Sequence, residues 1–214
     1  PDETAATFGI DGTRYMVLRE VPFARDADVS TEAFVRRYNA DLANDLGNLV
    51  NRTVSMSARY LDGVLPPVTG ADEPADGEIA AVAERAVADY RAAMDRHYLD
   101  EALAAMMTLV GAANGYAESQ APWGLHKAGE HERVGQVLAV MAEACRIIGH
   151  LLAPAAPTAA RRLHEQLGVP PPYDERGVGG PGLAVLAAWG GGPSGWRTGQ
   201  ASPIFPRVEL EPVA

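Results

Sequence analysis

Residues 30–63 read "STEAFVRRYNADLANDLGNLVNRTVSMSARYLDG", and this stretch decides the fold. Phe34, Tyr38, Leu42, Leu46, Leu49, Thr53, Met56 and Tyr60 recur at spacings of three and four, the mark of one helix with one buried stripe. Ser30 or Thr31 can cap it, Glu32 favours the first turn, and Gly63 is the expected stop before Pro66 and Pro67. The same stretch holds four asparagines and an interior glycine between residues 39 and 52. Each is a weaker helix former than alanine, by about 1 kcal/mol or less. The leucine stripe explains the core and leaves the amides unexplained.

The rest of the chain extends the pattern. Apolar stripes predict helices over about 78–98, 100–119, 130–152 and 157–167, with Pro122, Pro154 and Gly168 as breaks. Residues 64–77 read as a Pro/Gly/Asp loop. Residues 169–206 are rich in Gly and Pro, with the short apolar pieces "LAVLAAW" and "IFPRVEL" inside. Residues 1–29 contain the mixed run "YMVLREV" and a charged turn, and complete no domain of their own. The expectation is an all-α antiparallel helical bundle of about five helices with an irregular Gly/Pro-rich C-terminal tail packed back on it.

Composition narrows the classes. At 47% apolar and 21% charged residues, the 214-residue chain is globular. No uninterrupted apolar run approaches the roughly 20 residues of a membrane span. The N-terminus lacks the basic and apolar regions of a secretory signal. A single cysteine, Cys145, excludes disulfide pairing within the chain and cysteine-based zinc sites. The cytoplasm is the expected location, and no membrane partner is expected. The net charge of −10 argues against non-specific binding to phosphates. It is unevenly spread: residues 66–119 carry 10 acids and 3 arginines, a net of −7, while residues 120–168 carry 4 acids and 5 bases, a net of +1. The only lysine, Lys127, lies in the second of these regions.

Two groups of residues could carry function. Asn44, Asn48 and Arg52 stand at i, i+4 and i+8, on one face of an α-helix. Two amides and a guanidinium in line can meet the edges and planes of bases. The same row can instead bond a neighbouring loop and fix bundle geometry, and spacing alone favours that reading. In "ESQAPWGLHK", residues 118–127, a tryptophan directly after a proline at a helix end suits stacking on an unpaired base, with Lys127 near a phosphate. It could as well plug a helix corner. No catalytic constellation is present. The five histidines show no metal-ligand spacing, and neither "GVGGPG" nor "WGGGPSG" has the pattern of a phosphate-binding loop.

Several stretches resemble bacterial methionyl-tRNA synthetases in the right order. "FGIDGTRYMVLREVPFARDADVS" resembles the segment after their KMSKS loop. "FVRRYNADLANDLGNLVNRTVSM" through "YLDGVLP" resembles the first helix of their anticodon-binding domain. "YAESQAPWGLHK", "LLAPAAPTAARRLHEQLG" and "SPIFPRVE" resemble later signatures. An aromatic pair is common in the family where Tyr15 and Met16 stand. The resemblance implies that residues 1–29 end a catalytic and stem-contact region, that 30–168 form the anticodon-binding bundle, and that 169–214 form an extension. It implies that the CAU anticodon of tRNA(Met) is read by Asn48, Arg52, Pro122 and Trp123, with Asn44, Gln120 and Lys127 as weaker candidates. Partners would be the tRNA anticodon loop and the catalytic domain of the same chain. ATP and Mg would serve the parent ligase, with no cofactor or metal in this segment. The HIGH and KMSKS motifs are absent from these 214 residues. A free-standing tRNA-binding module and a plain helical interaction protein are the alternatives. The parent is expected to be a monomer.

Overall fold

The computed structural model describes residues 2–20, 30–68, 73–171, 181–193 and 195–209. The charged turn read at 22–30 lies outside them except for Ser30. In chain order the elements are α1 (Asp2–Glu20), α2 (Thr31–Arg37), a π-helical segment (Tyr38–Leu46), α3 (Gly47–Leu61), α4 (Pro74–Asp95), α5 (Leu99–Gln120), α6 (Pro122–Ala128), α7 (His131–Leu152), α8 (Pro157–Leu167) and α9 (Leu183–Leu186). Among the described residues the only β pairing is one isolated antiparallel bridge, Val64 with Arg197.

The bundle is built around α7. This helix has 22 residues, and an 18-residue window of it has a mean hydropathy of 1.3, enough by length and composition to cross a membrane, yet 94% of that window is buried in the protein. Glu143 and Arg146 interrupt its apolar run. Helices α3, α4, α5, α6 and α8 pack around it. Val137, Leu138, Met141, Cys145, Ile148 and Leu152 are all buried, as the stripe requires. At about 25 cal/mol per Å² of apolar surface removed from water, this shared core is the main driving force of the fold.

Local chemistry sets the helix ends. The Ser30 side chain accepts from the Ala33 amide at 3.2 Å and caps α2. Pro74, Pro122 and Pro157 each stand in the first turn of a helix, where the missing N–H is not needed. The acidic loop therefore ends at Pro74, earlier than the apolar stripe predicted. Gly168 ends α8 at φ 75°, and a Cβ there would lie 1.8 Å from the Arg197 carbonyl oxygen, so only glycine fits.

Two parts of the chain that looked irregular are ordered on the bundle. Residues 2–20 form a helix bent at Gly9, with Tyr15 and Met16 fully buried. Arg14 donates to the carbonyls of Pro154 and Ala155, both at 2.9 Å. The Asp11 carboxylate accepts from the Ala159 amide at 2.6 Å, at the start of α8. At the other end, Arg146 and Glu143 form a buried pair on α7. Arg146 donates to the carbonyls of Leu186 and Ala188, while Glu143 accepts from the Gly191 amide at 3.0 Å. These bonds seat α9 and the turn after it. Trp196 is buried and its indole N–H donates to the Leu167 carbonyl. Ile204 and Phe205 complete the packing, with Phe205 edge-on to Tyr38 at 6.1 Å.

Candidate nucleic-acid interface

The long first helix of the bundle is not α-helical throughout. Tyr38 to Leu46 is a π-helix of nine residues. The Gly47 amide reaches back five residues to the Leu42 carbonyl, the bond that defines π winding. A Cβ at Gly47 would lie 2.9 Å from that carbonyl oxygen, so glycine is the residue that fits the junction. Asn39 and Asn44 belong to this segment, and Asn48, Asn51 and Arg52 to α3.

Arg52 is the centre of the site. It projects from α3 half-exposed, with its Cζ 5.3 Å from the centroid of the Trp123 ring, within cation–π range. One guanidinium nitrogen lies 2.7 Å from Glu118 Oε1. The partners come from two helices joined by one residue. Glu118 is in the last turn of α5, and Trp123 is the second residue of α6. Between them Ala121 takes the left-handed conformation, φ 44° and ψ 61°, unusual for a residue with a Cβ. Its amide closes α5 on the Ala117 carbonyl at 3.1 Å, and its carbonyl accepts from the Gly124 amide at 2.7 Å. Pro122 is buried and anchors the start of α6. Trp123 is left part-exposed, facing α3.

Asn48 is exposed one turn before Arg52 on the same helix, so the two share a face. Asn44 is also exposed but lies within the π segment. The α-helical spacing that aligned it with the other two does not hold across that junction. Lys127 is exposed one turn beyond Trp123 on α6. Gln120 is placed differently. Its side-chain oxygen accepts from Arg133 at 2.5 Å. Arg133 also grips Asp76 through two bonds of 2.6 and 2.9 Å, and Tyr116 donates to Asp76 at 2.5 Å. Burial pushes the Asp76 carboxyl up, but the bonds from Arg133 and Tyr116 leave it below its ordinary value. Gln120 thus joins a network tying α4, α5 and α7 together.

Several residues near the interface escaped the sequence reading. Glu118 holds Arg52, and only the tertiary approach of α5 to α3 reveals it. Tyr60 stacks on His126 at 4.2 Å with an interplanar angle of 17°, and His131 meets His126 edge-on at 5.4 Å. Asn114 donates to the Asp45 carbonyl at 3.0 Å, fastening α5 to the π segment. Burial and the neighbouring Asp41 raise the Asp45 carboxyl above its ordinary value. The arrangement brings together a clamped guanidinium, a part-exposed indole and an exposed amide on well-packed helices. Flat, partly charged ligands fit such a surface.

Comparisons with known proteins place the chain in a family. Residues 1–54 match the family described as tRNA synthetases class I (M), and residues 66–174 match the anticodon binding domain of methionyl tRNA ligase. Asn48 and Arg52 fall in the first match, Pro122 and Trp123 in the second. The chain is 36% identical over 217 residues to the methionine–tRNA ligase of Caldanaerobacter subterraneus subsp. tengcongensis, spanning 99% of this chain and 32% of that protein. With the methionine–tRNA ligase of Brucella suis it shares 44% identity over 170 residues, 79% of this chain and 33% of that protein. Apo Mycobacterium tuberculosis methionyl-tRNA synthetase superposes with a TM-score of 0.84 at 32% identity, over 98% of this chain and 41% of that one. The same enzyme with methionyl-adenylate gives 0.84 at 34%, over 96% and 39%. The chain spans about a third of the length of the curated relatives it matches. It belongs to the methionyl-tRNA ligase family, and its residues 66–174 are that family's anticodon-binding domain.

Proposed function

We propose that this segment reads the CAU anticodon of tRNA(Met) for a ligase that joins methionine to its tRNA with ATP. Arg52, Asn48 and Trp123, seated by Pro122, do the reading. The observation that carries this is the clamp itself: Arg52 held between Glu118 and the face of Trp123 on two well-packed helices. Single-stranded bases splay out of the anticodon loop and can stack on Trp123, each such contact contributing about 1–3 kcal/mol. Asn48 can donate and accept together, and Arg52 can pair with a base edge through two parallel bonds. A wrong base leaves these groups desolvated and unpaired, which costs about 1–3 kcal/mol per group. Asn44 and Lys127 flank the contact, Lys127 toward a phosphate.

In this proposal residues 1–29 continue the catalytic and stem-contact region, 30–168 form the reading bundle, and 169–214 form an extension fixed to it. ATP, Mg²⁺ and the chemistry of methionine activation belong to the catalytic domain of the same cytoplasmic ligase. Among the described residues no three His, Cys, Asp or Glu side chains converge to hold a metal. The test uses the full-length ligase. Arg52→Ala and Trp123→Ala should each lower kcat/KM for tRNA by orders of magnitude, with methionine–ATP exchange little changed. Aminoacylation like the wild type in both variants would overturn the assignment.

A further inference from the structure

The π segment directly precedes the reading residues, and π winding is rare outside single turns at functional sites. Such a conformation persists where its surroundings hold it. Here three ties do so from three directions. The Asn39 side chain donates to the Val208 carbonyl at 2.7 Å and accepts from the Val208 amide at 2.9 Å. Asp41 accepts from the Tyr15 hydroxyl at 2.9 Å and lies 3.7 Å from Arg19, both on α1. The Asp45 carbonyl accepts from Asn114 on α5.

The winding has a geometric consequence. Each extra residue taken up by a wide turn rotates everything beyond it by about 100° relative to a plain α-helix. At the side-chain surface of a helix, about 5 Å from its axis, that rotation is a displacement of roughly 8 Å. Upstream, Val35 and Tyr38 must face the core; downstream, Leu49, Val50, Thr53 and Val54 must do so. The π segment lets both stripes be buried and still turns Asn48 outward and Arg52 onto Trp123.

We infer that Asn39 is a positioning residue for base recognition. By bonding both backbone groups of Val208 it holds the π segment, and with it the azimuth at which α3 presents Asn48 and Arg52. This rests on the base reading proposed above. Asn39 touches no base; it acts through the helix.

The experiment measures, in the full-length ligase, the ratio of affinities for anticodon stem-loop RNAs bearing CAU and UAU. Asn39→Ala removes the tie from one side. Val208→Pro removes half of it from the other side: the amide that donates to Asn39 is lost, and the carbonyl that accepts from Asn39 stays. Asn39→Ala should lower the ratio about fivefold, the scale of one net hydrogen bond, and Val208→Pro should lower it by less. The double variant should lose no more than Asn39→Ala alone, because Asn39→Ala already cuts the whole tie. Asn39→Asp keeps the acceptor and lacks the donor, so its ratio should fall in between. Methionine–ATP exchange should stay constant throughout. A merely structural role for Asn39 would lower the melting temperature and leave the ratio intact. An unchanged ratio in Asn39→Ala or Val208→Pro overturns the inference, as does a double variant that loses the product of the two. Arg52→Ala is the separate control. If it too leaves the ratio unchanged, the base reading fails and not merely the tie.

Discussion

The guanidinium of Arg52 and the carboxylate of Glu118 are 2.7 Å apart, and Glu118 is the more exposed of the two, 61% against 33%. A base that engages Arg52 must share it with Glu118 or displace it. The carboxylate also stands where an anionic loop would approach. Ion pairs this open are weak, so the pair directs the guanidinium more than it stabilises the fold.

Glu118→Gln should therefore tighten tRNA binding a fewfold at low salt and narrow the gap between CAU and other anticodons. The melting temperature should stay within a degree or two. Titrations of stem-loop RNA at two ionic strengths measure all of this. Equal affinity and equal discrimination in the variant would show that the carboxylate is a bystander.

The buried pair of Glu143 and Arg146 behaves differently. Its partners are backbone groups of the C-terminal extension, so Arg146→Met strands a buried carboxylate. Breaking such a pair from one side costs about 3–5 kcal/mol. The expected result is a large fall in the urea midpoint together with new proteolytic cuts between residues 183 and 193. A midpoint near that of the wild type would mean the carboxylate finds other partners.

The rings of His150 and His164 lie 4.4 Å apart inside the bundle, tilted 43° to one another. Burial, with the neighbouring His164 ring and Arg146, lowers His150 to about 3, and burial lowers His164 to about 4. Folded values below the ordinary one mean that the unfolded chain binds protons first. The stabilising contribution is complete above pH 6.5 and is lost as pH falls through that value toward 4 and 3. Melting temperatures should fall between pH 7 and pH 5. His164→Asn should flatten that slope, and an equal slope in variant and wild type would assign the acid sensitivity elsewhere.

Burial pushes the Cys145 thiol up to about 12, with Thr53 Oγ1 3.8 Å away. The thiolate is the reactive form. Iodoacetamide should leave native protein unmodified at pH 8 and label it at the rate of global unfolding in urea. Prompt labelling without denaturant would contradict the packing of α7.

The apolar stripes made the bundle legible, because burial selects residue type at each helical position. The stripes of α5, α7 and α8 match their helices closely. The π segment left a trace that α-helical reading passes over: Phe34, Tyr38, Leu42 and Leu46 are spaced by four each time. Steps of four overshoot the 3.6-residue turn and would drift off the core face, which wider winding corrects. Asn39 and Glu118 were not legible, since their partners, Val208 and Arg52, lie far away in the chain. Residues 2–20 give a weak periodic signal because the helix is broken at Gly9. Short α6 was hidden by the proline that starts it.

The left-handed Ala121 bears on how freely the surface moves. A glycine would adopt its angles without the roughly 1 kcal/mol steric penalty. It would also leave them easily, and the joint between α5 and α6 would become a hinge. Alanine has few other conformations that keep both helices docked, so the joint behaves as a stiff elbow. Less motion is then frozen out when a ligand settles on Trp123. The segment trades a little fold stability for a surface whose shape fluctuates little.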